Sequence, residues 1–322
     1  MVFSVIGDTH PPSHYVGFAK YHPTAAGDRI LFGRRYARNG SLKCSAGILA
    51  DRPECFVHSP ALGCTMTGIP RHDVVAHYSG RAALRHLDRD RFATFAVGRD
   101  LLRIADLLVA DGAIDHLGVT GSFLIGCPHD ASDIDLTCYG PAGVDTAQRL
   151  FADRRVIRPY VGADFAKLCR KRGLDLPGAT WDTLTRRERR RLQGRTARAG
   201  AHVNCEPLRA DDDPGPDPTV ATTMGDVTVV ALITDHEPAL ATPAWYRVAV
   251  ERVVSSNVDH GQVAAPQIRF LRSYHGEYRG AFRAGERICA SGQLLALQPG
   301  DDLVVELTDW TGTRSYGARL VE

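Results

Sequence analysis

Residues 118–140 read GVTGSFLIGCPHDASDIDLTCYG, and the order of features in that stretch decides the fold. An apolar approach, Ile114 to Val119, leads into Gly121-Ser122, where glycine allows a tight turn and a hydroxyl sits beside it. After a polar loop containing Pro128, Ser132 to Tyr139 alternates as a strand does. Asp133 and Asp135 are therefore expected on one face, about 7 Å apart. Two ionised carboxylates so placed repel unless a cation lies between them. A hard divalent ion resolves the conflict, Mg²⁺ above all with Mn²⁺ as a substitute, because it accepts one or two carboxylates and leaves its other positions to water and phosphate oxygens. Gly121-Ser122 suits the phosphate itself, since backbone N–H groups at a Gly turn form an anion-binding concavity and a hydroxyl can donate into it. Ser132 offers another hydroxyl beside the pair. A phosphate cradle followed by a metal-binding Asp pair describes phosphoryl or nucleotidyl transfer, in which positioning and charge neutralisation supply most of the catalysis.

These residues carry a resemblance. Gly121-Ser122, a spacer, then Asp133-Ile134-Asp135 between apolar neighbours resembles the signature of the DNA polymerase β-type nucleotidyltransferase superfamily. The fuller string GVTGS…SDIDL…YG is similar to a group of predicted archaeal-type nucleotidyltransferases without assigned substrates, and the N-terminal His-Pro-Pro and the C-terminal segments resemble that group more weakly. The resemblance implies a small α/β core and metal-dependent transfer of a nucleoside monophosphate from an NTP, with release of pyrophosphate, to a hydroxyl or phosphate acceptor it does not identify. It makes Asp133 and Asp135 metal-binding and catalytic, and gives Gly121, Ser122 and Ser132 to the nucleotide. Superfamily members supply a third carboxylate from a later strand. Ala201 to Leu208 alternates with His202, Asn204 and Glu206 on one face, so Glu206 is the candidate for a catalytic and metal-binding role, with Asp211, Asp212 and Asp213 as rivals and an outward-facing edge as the alternative. Two other functions share this fold: a catalytically inactive nucleotide- or RNA-binding protein, and an enzyme that nucleotidylates itself or other proteins, as some small relatives do.

With 322 residues the chain has room for two domains, or a core with a large appendage. The expected class is α/β (α+β): a β-rich segment over 1–78, a mixed sheet flanked by helices over 79–210, a Pro- and acid-rich linker over 211–218, and an antiparallel β domain over 219–322. Composition is ordinary for a globular protein, 44% hydrophobic and 24% charged, and the net charge of +2 gives no global argument for nucleic acid. No run of about 18 apolar residues and no leader pattern occurs, so a cytoplasmic protein without membrane contact is expected. Eight cysteines without a CxxC pair read as reduced core residues. Cys44, Cys55, Cys64, His58 and His72 match no usual zinc spacing.

Along the chain, Val2 to Ile6, Tyr15 to Tyr21 and Arg29 to Phe32 read as strands, and His10, His14, Lys20, His22 and Arg34-Arg35 would reach phosphates if that sheet lay beside the core. Residues 41–78 show no clear period. Helices are expected from Ser79, over Phe92 to Ala110 with its stop at Asp111-Gly112, and over Pro141 to Asp153. Thr185 to Glu188 has the form of a capping box opening a short basic helix. Arg186 to Arg198, with Lys167 to Arg172 upstream, is the densest positive cluster. A solvated face is its commoner meaning, and contact with nucleic acid is the alternative. His129 lies in the loop between the Gly-Ser and Asp-Ile-Asp elements, within possible reach of a leaving phosphate. Beyond the linker, Val227 to Ile233, Trp245 to Val254, Ile268 to Ser273, Ile288 to Leu297 and Leu303 to Leu307 are strand candidates. There is no Gly-x-Ser-x-Gly elbow, Walker A sequence or Rossmann fingerprint.

Overall fold

A computed structural model describes residues 1–7, 9–39, 42–173, 181–210, 220–258, 265–298, 302–309, 314 and 316–321. The fold is mixed α+β, built on three sheets. The expected linker and the rival acids Asp211, Asp212 and Asp213 lie outside the described residues.

The first sheet contains β1 (Val2–Val5), β2 (His14–Pro23), β3 (Arg29–Leu31), β4 (Arg34–Arg38), β5 (Phe56–Ser59) and β6 (Cys64–Pro70). Its order is β3-β4-β2-β6-β5, with β1 also on β2. Helix α1 (Leu42–Ile48) packs beside β2.

The central sheet holds β7 (Leu117–Val119), β8 (Ile134–Tyr139), β9 (Ile157–Arg158), β10 (Gln193–Thr196) and β11 (His202–Leu208) in the order β7-β8-β11-β10-β9. Only β8 and β11 run parallel. The alternation within β8 sends Ile134, Leu136 and Cys138, all fully buried, to one face. That face meets the apolar stripe of α4 (Ala96–Ala110), with Leu101, Ile104, Ala105 and Leu108, and of α6 (Gly140–Ala152), with Ala147 and Leu150. The opposite face presents Asp135, Thr137 and Tyr139. Between Ser79 and α4 lie two short helices, α2 (Gly80–Arg85), capped by the Ser79 hydroxyl, and α3 (Arg89–Phe92), capped by Asp88. The expected helix from Phe92 thus begins at Ala96. Helix α5 (Gly121–Leu124) follows β7, and α7 (Gly162–Gly173) and α8 (Trp181–Arg190) come between β9 and β10.

The capping box expected at Thr185 is not present. Helix α8 starts at Trp181, and the Thr185 hydroxyl donates back to the Asp182 carbonyl at 3.0 Å, as a mid-helix threonine does.

The last sheet comprises β12 (Val220–Asp235), β13 (Ala244–Ser256), β14 (Ile268–Ser273), β15 (Arg287–Gln298), β16 (Leu303–Glu306) and β17 (Gly317–Leu320). The order β12-β13-β14-β16-β15 closes because β12 also pairs with β15, giving a small barrel that is antiparallel except at β14–β16. A bulge at Gly225, φ +152°, lets the long β12 bend around the closure. Closure removes the edges these strands would expose and encloses a core of Val229, Ala231, Ile233, Leu271, Ile288 and Leu294.

The barrel is joined to both other sheets. Arg272 and Glu306, each fully buried, pair at 2.6 Å, and Arg272 also donates to the Ala61 carbonyl at 3.2 Å; the Ala221 N–H donates to Pro60 at 2.8 Å. On the other side Arg190 of α8 pairs with Glu286 at 2.7 Å and donates to the Ala281 carbonyl at 2.6 Å. No helix among the described residues is long and apolar enough to cross a membrane.

Candidate active site

The Gly-Ser turn is fitted to the Asp strand by close approach. The Thr120 N–H donates to the Asp135 carbonyl at 2.7 Å, and Gly121 then takes φ +64°. A Cβ at Gly121 would stand 2.4 Å from Asp135 Oδ2, so both the backbone angle and the carboxylate require glycine there. Phe123 anchors the turn against Phe92 and Phe95, and the Cys127 N–H donates to the Ser122 carbonyl at 2.8 Å.

Asp133 is exposed at the mouth of β8 and Asp135 is half-buried one pleat in; the strand itself begins at Ile134 rather than at Ser132. In the parallel register Asn204 stands beside Asp135, and its side-chain amide donates to Asp135 Oδ1 at 2.6 Å. Glu206 stands beside Thr137, further along the same cleft face. Ser132 is buried, and its hydroxyl accepts the His129 N–H at 2.9 Å, which fixes the loop that delivers Asp133. His129 is exposed, and its Nδ1 accepts the Ala131 N–H at 3.0 Å.

Gly121, Ser122, Ser132, Asp133, Asp135 and Glu206 all line one cleft of about 1690 Å³, whose walls come from the first sheet, the central sheet with α7, and the barrel. The volume exceeds the roughly 300–1,000 Å³ that serves a single small ligand, so a donor and an acceptor can be held together. The lining carries nine Lys and Arg against five Asp and Glu. An otherwise near-neutral chain thus concentrates positive charge at this site.

Glu206 is held by Arg279, which reaches in from the barrel and also donates to the Thr242 hydroxyl at 3.1 Å. Burial pushes the Glu206 carboxyl up, but Arg279, with Arg191 and Lys20 beyond it, outweighs this and leaves it below the ordinary carboxylate range. Among the described residues no three His, Cys, Asp or Glu side chains gather closely enough to hold a metal ion, so Glu206 shares the cleft with the two aspartates without joining them in one cluster. At the α7 end Tyr160 and His202 Nδ1 are hydrogen-bonded at 2.7 Å, Arg195 lies 5.2 Å over the Tyr160 ring, and Lys167 and Lys171 point in from the helix.

The basic run is mixed: Arg186, Arg189, Arg195 and Arg198 are exposed, and Arg190 and Arg191 half-buried. Arg187 is fully buried and donates to Glu188 at 2.7 Å, Arg190 fastens α8 to the barrel, and Arg186 pairs with Asp182 at 3.0 Å. The expected solvated face is therefore largely present, interrupted by the inward contacts of Arg187 and Arg190, and from this run Arg191 and Arg195 reach the cleft. Of the cations expected from the first sheet, Lys20 lines the cleft, whereas His10, His14, His22 and Arg34-Arg35 do not. Arg29 and Arg38 line it, and the sequence alone did not single them out; Asn204, expected only as a member of the polar face of its strand, lines it too. Cys44, Cys55 and Cys64 are free thiols.

Comparison with protein-family models, with curated proteins and with solved structures yields no match for this chain.

Proposed function

We propose that the chain is a metal-dependent nucleotidyltransferase that moves a nucleoside monophosphate from an NTP to an acceptor hydroxyl or phosphate. The observation that carries the proposal is the seating of the Gly121-Ser122 turn against Asp135, with Asp133 beside it, in a cleft lined by an excess of cations. Asp133 and Asp135 offer hard oxygen donors, the set Mg²⁺ uses, and would hold it. Once bound, the cation supplies charge neutralisation at the phosphate oxygens.

The chain's own residues do the positioning. Asn204 fixes the Asp135 carboxylate by engaging one oxygen, and Gly121 leaves the other room. The backbone and hydroxyl at Gly121-Ser122 cradle the phosphates, and the lining cations hold the negative charge that builds as the reaction proceeds. The acceptor oxygen attacks the α-phosphorus, the bond to the bridging β-phosphate oxygen breaks, and pyrophosphate leaves while the acceptor proton passes to solvent.

The deciding experiment incubates the protein with each NTP, Mg²⁺ or Mn²⁺, and pooled acceptors including tRNA, sugar phosphates and the protein itself, scored for pyrophosphate and for intact mass. Asp133→Ala and Asp135→Ala should each abolish turnover; activity retained in either removes the assignment. The Arg279–Glu206 pair favours a second reading, a binding protein of the same fold without catalysis. It predicts nucleotide binding that survives chelation and releases no pyrophosphate.

A further inference from the structure

The β3–β4 hairpin carries two arginines into the cleft. Arg29 stands opposite Tyr36, and Arg38 follows two residues later opposite Tyr21, so both leave the same face of the sheet, one pleat apart. That face is seated on the loop after the Gly-Ser turn: Tyr21, Leu31, Tyr36 and Cys127 form one apolar cluster with Ile125 against it. Cys127 is in turn hydrogen-bonded to Ser122. Burial first, then Cys127, raise the Tyr21 hydroxyl, Arg38 and Arg29 draw it down, and Asp135 raises it again, so one phenol feels both guanidiniums and the catalytic carboxylate.

Arg29 is underused by the fold. Its Nε and one terminal nitrogen are buried without a hydrogen-bond partner among the described residues. Its side chain is 13% exposed, and the carboxylate of Asp28 stays 3.6 Å from Nε while remaining 73% exposed. Buried guanidinium donors are ordinarily satisfied, and because Arg29 also lines the cleft, a shift of its side chain toward an anion bound there would supply the missing acceptor.

We propose that Arg29 and Arg38 form an oligophosphate clamp that holds the β- and γ-phosphates of the donor, making the N-terminal hairpin part of the donor site. Guanidinium forks match phosphate oxygens bidentately, and two on adjacent strands can embrace one pyrophosphate unit. The clamp acts where charge accumulates as the α–β bond breaks, and it reads the phosphates without touching the base. That the ligand is a donor triphosphate rests on the nucleotidyltransferase assignment; the anion site stands on the hairpin alone.

Calorimetric titration of the full chain with inorganic tripolyphosphate, without nucleotide, tests it. The wild type should bind tripolyphosphate more tightly than orthophosphate, and Arg29→Gln/Arg38→Gln should weaken tripolyphosphate by about tenfold or more and close that gap. Arg29→Lys, which keeps the charge but loses the fork, should fall between. Should the Arg29 variants fail to fold, Arg38→Gln alone, at an exposed position, should still weaken tripolyphosphate by several fold. Affinity unchanged in Arg38→Gln and in the double variant, or no binding by the wild type, overturns the clamp. A chain that binds tripolyphosphate through these arginines yet releases no pyrophosphate from any NTP keeps the clamp and refutes the transferase instead.

Discussion

At Gly121 two independent constraints meet, a left-handed backbone and a carboxylate oxygen 2.4 Å from where a Cβ would go. Gly121→Ala is therefore expected to cost about 1–2 kcal/mol in backbone conformation alone. It should also displace Asp135, so that pyrophosphate release falls by far more than the melting temperature suggests; comparing turnover with thermal denaturation separates the two effects. Asn204→Ala removes a charge-assisted bond worth about 1.5–3 kcal/mol and frees Asp135 to rotate, so turnover should drop while far-UV circular dichroism stays unchanged. The Gly-Ser turn and the Asp pair were legible in the sequence because turn and strand patterns are local. Asn204 was legible only as a member of a polar strand face. That it, rather than Glu206, is the neighbour of Asp135 depends on the register between two strands 69 residues apart, which alternation does not specify. Likewise, nothing local announces that Glu206 will meet an arginine from the barrel.

Among the elements, α4 and α6 with their apolar stripes and strands such as β2, β11 and β14 were found close to their bounds, whereas β4, β5, β6, β9, β10 and β17 were missed and β12 starts at Val220 rather than Val227. Within the arginine run around α8, which is largely solvated, Arg187 and Arg190 turn inward, and a sequence does not say that the interior of the fold, or Glu286, will receive those two. The buried Arg272–Glu306 pair ties β14 to β16 and holds the loop at Ala61. Arg272→Met leaves Glu306 charged and unpaired in a dry site, and is expected to lower unfolding free energy by about 3–5 kcal/mol, read as a shift in the urea midpoint. Replacing both partners by apolar residues of similar volume should recover most of that loss.

On the scale of the whole molecule, the cleft has one carboxylate whose state is set by another sheet. Arg279 holds Glu206 below its ordinary value of 4.5, so the contact stabilises the protein above that pH and is lost as pH falls through the depressed value. Wild type and Arg279→Gln should differ in melting temperature at pH 7 and converge in strong acid; a gap that persists there would mean the arginine acts by packing alone. The cationic lining also predicts that nucleotide affinity falls as ionic strength rises from about 0.01 to 0.15 M, where screening shortens from about 30 to 8 Å. None of this enclosure was readable beforehand, since three walls drawn from distant parts of the chain meet only in the folded state. Asp133 and Asp135 are translated well before His275, Arg279 and Thr308, which complete their surroundings. While it is still being synthesised, the protein carries these acids but no finished chamber around them. A polypeptide released after Leu208 is accordingly expected to hydrolyse or transfer nothing, and competence arrives only once the ribosome has passed Thr308.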